Sequence, residues 1–302
     1  MHSGNTPNQI KSRSLGASIA EWTEMIKLEH TVFALPFALS GLILASSAAL
    51  PSGSTVLFTV LAFVGARSAA MTLNRVIDSR IDAANPRTKD RALPAGRIKP
   101  GLALLFAILS FGLMLAAASQ LPELCLKLSP IAVFWLSFYS FTKRFTWLCH
   151  IVLGIALGGA ALGGWVAAGG GLNSYAPWLL AAAVSTWVAG FDIIYACQDY
   201  NFDTSQKVFS IPARFGIGRA LLISRALHVA TVACLLALGL NLHLGIFYAI
   251  GFSAVTIMLV YEHSLVKADD LTRVNAAFFN VNGFVSIACF LTILIDHLVV
   301  RR

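Results

Sequence analysis

Residues 54–82 read STVLFTVLAFVGARSAAMTLNRVIDSRID. The first part, 54–73, is apolar apart from small hydroxyl side chains and Arg67, and it has about the length a helix needs to cross the hydrocarbon core of a bilayer. The last part sets Asn74, Asp78 and Asp82 four residues apart, which places them along one helix face. Comparable apolar runs fill the chain on both sides, at 32–50, 102–120, 128–142, 147–169, 175–197, 220–240, 243–261 and 277–299. The expected fold is all-α, a polytopic membrane protein of about nine transmembrane helices. The run at 128–142 is short and is expected to begin nearer Leu124, with Lys127 reaching to the interface. Residues 15–29 mix apolar and charged side chains, which predicts a helix lying on the membrane surface. The expected division is a cytoplasmic N-terminal segment, 1–31, and one transmembrane domain, 32–302.

Composition agrees. The chain is 57% hydrophobic and 12% charged, against about 25% charged in soluble domains. The net charge of +8 would suggest nucleic acid in a soluble protein, but here topology accounts for it. Of the 22 Lys and Arg, 17 lie in the N-terminal segment and in the connections after the second, fourth, sixth and eighth runs. Lys11, Arg13 and Lys27 are among them. The opposite side holds Lys127, Arg301 and Arg302, and Arg67 and Arg225 fall within runs. That asymmetry puts the N-terminus and the basic connections in the cytoplasm, with no nucleic-acid partner. The five cysteines form no CxxC pair and read as small packed side chains. No signal peptide opens the chain. Gly154, Gly158, Gly159, Gly163 and Gly164 read as a close helix–helix packing face.

Five of the 14 acidic residues gather in two places. Asp78 and Asp82 follow Asn74. Asp192, Asp199 and Asp203 close the run at 175–197, and the seven-residue spacing from Asp192 to Asp199 is expected to carry one stripe deeper into the membrane. Like charges at i, i+4 repel, and an intramembrane carboxylate costs roughly 2.5–3.5 kcal/mol on insertion scales. A divalent cation removes both penalties, because hard cations take carboxylate oxygens and bridge them to phosphates. The flanking residues point to phosphate. Arg87, Lys89 and Arg91 follow the first group, and Lys207 and Arg214 the second. Both regions read polar-x3-Asp-x3-Asp, then basic, then Pro-Ala and Arg, which hints at an internal duplication. Tyr139 and Lys143, at i and i+4 beside Arg144, are expected to share a helix face, Lys143 toward diphosphate and Tyr139 toward the reaction chamber. Arg67 is either a salt-bridged structural arginine or a recognition group for an acidic substrate. Asn275, Asn280 and Asn282 read as interhelical hydrogen-bonding residues. His30, His150, His228, His243, His263 and His297 lack metal-ligand spacing and receive no role.

Across nearly its whole length the chain resembles the UbiA superfamily of intramembrane prenyltransferases. The resemblance rests on residues 74–82 (NRVIDSRID), 87–91 (RTKDR), Tyr139 through Lys143, and 192–199 (DIIYACQD) with Asp203. Arg91-Ala92-Leu93 departs from the family's Arg-Pro-Leu, and Asp90 is often another residue there. The resemblance implies a helical bundle around a central cavity with a cytoplasmic cap, in a bacterial inner membrane. It also implies transfer of a polyprenyl group from its diphosphate to a small aromatic acid, in quinone synthesis. Two Mg2+ ions would sit on Asn74, Asp78, Asp82, Asp199 and Asp203. Arg87, Lys89, Arg91, Lys143 and Lys207 would bind diphosphate, and Asp192 would orient the acceptor or take its ring proton. The overall pattern resembles the 4-hydroxybenzoate branch. Residues 190–199 and 210–216 are similar to a subgroup that prenylates a hydroxynaphthoate for menaquinone through futalosine. A divalent-cation transporter is the alternative of another class, but it would spread carboxylates through the membrane depth instead of grouping them at one edge.

Overall fold

A computed structural model describes residues 15–27, 31–46 and 49–300. Lys11, Arg13, Glu29, His30, Arg301 and Arg302, used in the readings above, lie outside the described residues. The helices are α1 (Leu15–Ile26), α2 (Thr31–Ala45), α3 (Gly53–Ala84), α4 (Pro100–Ala118), α5 (Glu123–Phe138), α6 (Cys149–Ala167), α7 (Tyr175–Ala196), α8 (Tyr200–Gln206), α9 (Ile211–Phe215), α10 (Ile217–Asn241), α11 (Ile246–Leu265), α12 (Val274–Ala276) and α13 (Asn282–Val300). A 3-10 turn, Tyr139–Arg144, continues α5, and another, Cys197–Asp199, joins α7 to α8. A π-helical turn, Ala277–Val281, joins α12 to α13. Among the described residues the only β feature is an isolated bridge between Lys267 and Asp270.

Among the described residues eight helical segments are long and apolar enough to cross a bilayer, so the protein is an integral membrane protein. The expected first span is shorter than its apolar run. α2 covers 15 residues, about 22 Å of rise. α3 differs in the other direction. It runs for 32 residues without a break, so its apolar half and its carboxylate stripe are one rigid rod. The Ser52 side chain starts it by accepting from the Thr55 amide at 3.1 Å. Asn85 ends it, placed by the following Pro86, which disfavours the α conformation in the residue before it.

α7 is the most buried of the long helices and packs against α6 and α10. Its Leu180, Val184, Trp187 and Val188 form the core with Phe37 of α2, Val281 of the π-helical turn, and Val285 and Ile293 of α13. Leu104, Leu105, Ile108 and Leu109 of α4 point outward and are exposed, as a lipid-facing surface requires. Three of the five α6 glycines behave as expected. A Cβ at Gly154 or Gly158 would meet backbone of α7, and one at Gly164 would lie 1.8 Å from the Ala38 carbonyl oxygen of α2. Gly159 and Gly163 face open space and do not belong to that packing face. Gly164→Leu is therefore expected to cost about 3 kcal/mol through overpacking, read as a lower thermal midpoint in detergent, while Gly163→Leu leaves it unchanged.

Candidate active site

The α3 stripe is built of paired groups. Asp78, 1% exposed, accepts from Asn74 Nδ2 at 2.9 Å, from Lys143 Nζ at 2.5 Å and from Arg144 Nη1 at 3.0 Å. One turn on, Arg91 Nη1 bonds both oxygens of Asp82 at 2.7 and 2.8 Å, with Arg75 Nη1 at 4.0 Å. The two carboxylates that repulsion would set against each other are thus each neutralised from outside α3.

The second carboxylate group is tied to the first through the connection after α3. Arg87 forks onto Asp199, with Nε on Oδ1 at 2.9 Å and Nη2 on Oδ2. Its Nη1 donates to the Tyr195 hydroxyl at 3.2 Å. Burial pulls the Arg87 pKa down, but the Asp199 pairing outweighs it and raises the guanidinium above its ordinary value. Asn85 adds a second link, Nδ2 to Asp199 Oδ1 at 3.1 Å, while its Oδ1 accepts from the Arg87 amide at 2.9 Å. Sequence reading passed over Asn85, although Asn-Pro is a turn signal that could have drawn attention to it.

Asp203 accepts from Ser210 Oγ at 2.8 Å. The 3-10 turn at Cys197–Asp199 breaks the α register, so Asp192, Asp199 and Asp203 do not form one continuous stripe. Asp192 instead pairs with His150 of α6, Oδ2 to Nδ1 at 2.7 Å. A 3-10 turn also corrects the expectation for Tyr139 and Lys143. At three residues per turn, i and i+4 no longer share a face. Lys143 reaches Asp78, whereas the Tyr139 hydroxyl donates to the Ala70 carbonyl at 3.2 Å.

Two cavities flank the α3 stripe. The first, about 340 Å³, is lined by Arg75, Arg87, Arg91, Tyr195, Gln198 and Asn275, and is closed by Glu24, Met25 and Lys27 at the end of α1. The second, about 300 Å³, is lined by Arg80, Lys143, Arg144, Phe202 and Lys207 among others. Of the five basic residues expected at a diphosphate, Arg87 and Arg91 thus fall on one side and Lys143 and Lys207 on the other. Lys89 is exposed and lines neither cavity. Beneath α1, Arg67 Nη2 donates to the Lys27 carbonyl at 3.4 Å, and its buried Nε has no hydrogen-bond partner.

Below the first cavity runs a file of aromatic rings. Arg87 lies over Tyr195, whose ring centroid is 4.2 Å from Phe278. Phe278 then contacts Phe191 at 5.3 Å, and Phe191 contacts Trp187 at 4.9 Å. The Trp187 indole N–H donates to Asn282 Oδ1 at 2.8 Å, and Asn282 Nδ2 donates to Glu262 Oε1 at 3.0 Å. Asn282 is the interhelical residue its sequence predicts. Glu262, fully buried, was not singled out, because a lone carboxylate near the end of an apolar run looks like an interfacial residue.

The donor set fits a hard cation. Asn74, Asp78, Asp82, Asp199 and Asp203 offer amide and carboxylate oxygens with no thiolate or imidazole among them. Among the described residues no three His, Cys, Asp or Glu side chains converge on one point. An ion here would complete its shell with phosphate oxygens and water, as Mg2+ usually does.

A family model described as "UbiA prenyltransferase family" matches residues 34–285. A 4-hydroxybenzoate octaprenyltransferase of Vibrio campbellii is 30% identical over 275 residues, covering 90% of this chain and 92% of that protein. The apo structure of a UbiA homolog from Aeropyrum pernix K1 is 35% identical, covers 89% of this chain and 98% of its own, and superposes with a TM-score of 0.81. A UbiA homolog from Archaeoglobus fulgidus, bound to DMAPP and Mg2+, superposes at 0.72 with 20% identity, covering 92% of this chain and 99% of its own. At that identity the likeness is one of fold.

Proposed function

This chain belongs to the UbiA prenyltransferase family and is a polyprenyltransferase, and we propose that it moves a polyprenyl group from its diphosphate onto a small hydroxyaryl carboxylic acid in a Mg2+-dependent reaction. The observation that carries the reading is the Arg87–Asp199 fork, which joins two carboxylate groups and their basic neighbours into one anion-binding site at the membrane edge. 4-Hydroxybenzoate is the first acceptor, supported by what the Vibrio relative is called. The sequence of residues 190–199 and 210–216 favours a hydroxynaphthoate as the second.

Asn74, Asp78, Asp82, Asp199 and Asp203 would hold Mg2+, which when bound would supply positive charge against the leaving diphosphate. Arg87 and Arg91 bind that diphosphate from one side of α3, and Lys143 and Lys207 from the other. The allylic C–O bond breaks with its electron pair leaving on diphosphate. The aromatic file from Tyr195 to Trp187 keeps water from the allylic cation. Arg67 takes the acceptor's carboxylate, which meets its unpartnered Nε. The ring carbon ortho to the hydroxyl forms the new C–C bond, and Asp192 accepts the ring proton. Tyr139, whose hydroxyl is bound to α3, contributes only the wall of its ring. The basic connections face the cytoplasm, in a bacterial inner membrane.

The test is prenyl transfer by purified protein in liposomes, with each acceptor offered separately. Product is expected with one of them. Chelation of divalent metal is expected to abolish it, and added Mg2+ to restore it. Undiminished transfer in excess chelator would rule out the metal role.

A further inference from the structure

The pairing of His150 with Asp192 carries a consequence for the last chemical step. His150 is the second residue of α6. Its side chain is 5% exposed, against 25% for Asp192. Nδ1 lies 2.7 Å from Asp192 Oδ2, and Nε2 is buried with no hydrogen-bond partner. The two residues come from different helices, 42 positions apart, so nothing in local geometry forces the contact. The N-terminal turn of α6 favours a carboxylate nearby. A carboxylate oxygen accepts, so in this contact Nδ1–H donates to Asp192 Oδ2. One carboxylate oxygen is then fixed, and the other is left free.

We propose that His150 is the positioning residue for Asp192. It holds the Asp192 carboxylate in one rotamer, with the free oxygen presented to the ring proton. This rests on the prenyl-transfer reading above. In the step concerned, the new C–C bond has formed and the ring C–H bond breaks. Its electron pair restores aromaticity, and the proton goes to Asp192, which later releases it to solvent. Without the Nδ1 donor the carboxylate swings and the proton is removed slowly. C–C bond formation then reverses, and water captures the allylic cation to give the free prenol and a proton. Diphosphate is released in either case, so the loss appears as uncoupling and not as failed ionisation.

The test measures diphosphate and prenylated product in the same reactions, at saturating donor and acceptor, for wild type, His150→Ala, His150→Asn and His150→Gln in liposomes. An Asn amide places its N–H where Nδ1 stands, whereas a Gln amide reaches the Nε2 position, so the pair separates hydrogen bonding from packing. One diphosphate per product is expected for wild type and His150→Asn. For His150→Ala and His150→Gln the product rate is expected to fall about 10²-fold and the ratio to rise several-fold. A ratio of one in all four proteins would overturn the positioning role, whatever their rates. So would equal uncoupling in the Asn and Gln variants. Failure of wild type itself to form product with any acceptor would instead count against the prenyl-transfer function.

Discussion

Asp78→Asn is expected to lower the prenyl-transfer rate on the order of 10³-fold, the scale seen when one preorganised group stabilising developing charge is lost. The reason lies in what this side chain touches. Lys143, Arg144 and Asn74 all converge on it. Removing its charge leaves two cationic heads without their common partner and takes a ligand from the proposed metal site. Asn keeps the volume and one acceptor oxygen, so the fold is expected to survive, with a lower thermal midpoint because Lys143 and Arg144 lose their shared counter-charge. Steady-state transfer with saturating donor and acceptor checks the rate. A loss smaller than tenfold in folded protein would mean that Asp78 only anchors the Tyr139–Arg144 turn.

The second large effect concerns Arg67. Arg67→Leu is expected to raise the KM for the aromatic acid about 10²-fold and leave the KM for the prenyl diphosphate unchanged. A buried, hydrogen-bonded charge pair is worth about 2–5 kcal/mol when one partner is truncated, and the acceptor carboxylate would be the partner of this guanidinium. Among the described residues Arg67 forms no ion pair and donates to the Lys27 carbonyl, with Nε unpartnered. Arg67→Lys restores charge without the planar fork and is expected to fall between the two. If instead both KM values stay at wild type while the thermal midpoint drops, Arg67 is a strut that holds the end of α1 to α3.

How much of this was legible differs from element to element, for physical reasons. The α3 span and its carboxylate stripe were readable because bilayer thickness fixes one length and helix periodicity fixes one spacing, and both act on contiguous residues. Asp78 and Asp82 were found that way, and so were their basic neighbours. The sequence could not show which base meets which acid. Arg91 stays with its own group on Asp82, but Arg87 crosses to Asp199, and only the turn at Asn85 and Pro86 decides that. The Tyr139–Lys143 expectation failed because nothing in the spacing distinguishes an α turn from a 3-10 turn. The same limit concealed the break between Asp192 and Asp199. His150 received no role because its partner sits on another helix, and a lone histidine in an apolar run is usually packing. α2 came out shorter than its hydropathy, because composition alone reads the whole run as a span and does not report where the helix ends.

The account stands on the claim that the two carboxylate groups act as one diphosphate site. The most direct measurement is calorimetric binding of a non-ionising polyprenyl thiodiphosphate to liposome-reconstituted wild type, Asp78→Ala and Asp199→Ala, each with and without Mg2+. The prediction is Mg2+-dependent binding to wild type that is lost in both variants, although the two residues lie on separate helical segments. Binding to wild type that persists in Asp199→Ala at unchanged affinity would contradict it, and would leave the α3 stripe to hold the diphosphate alone.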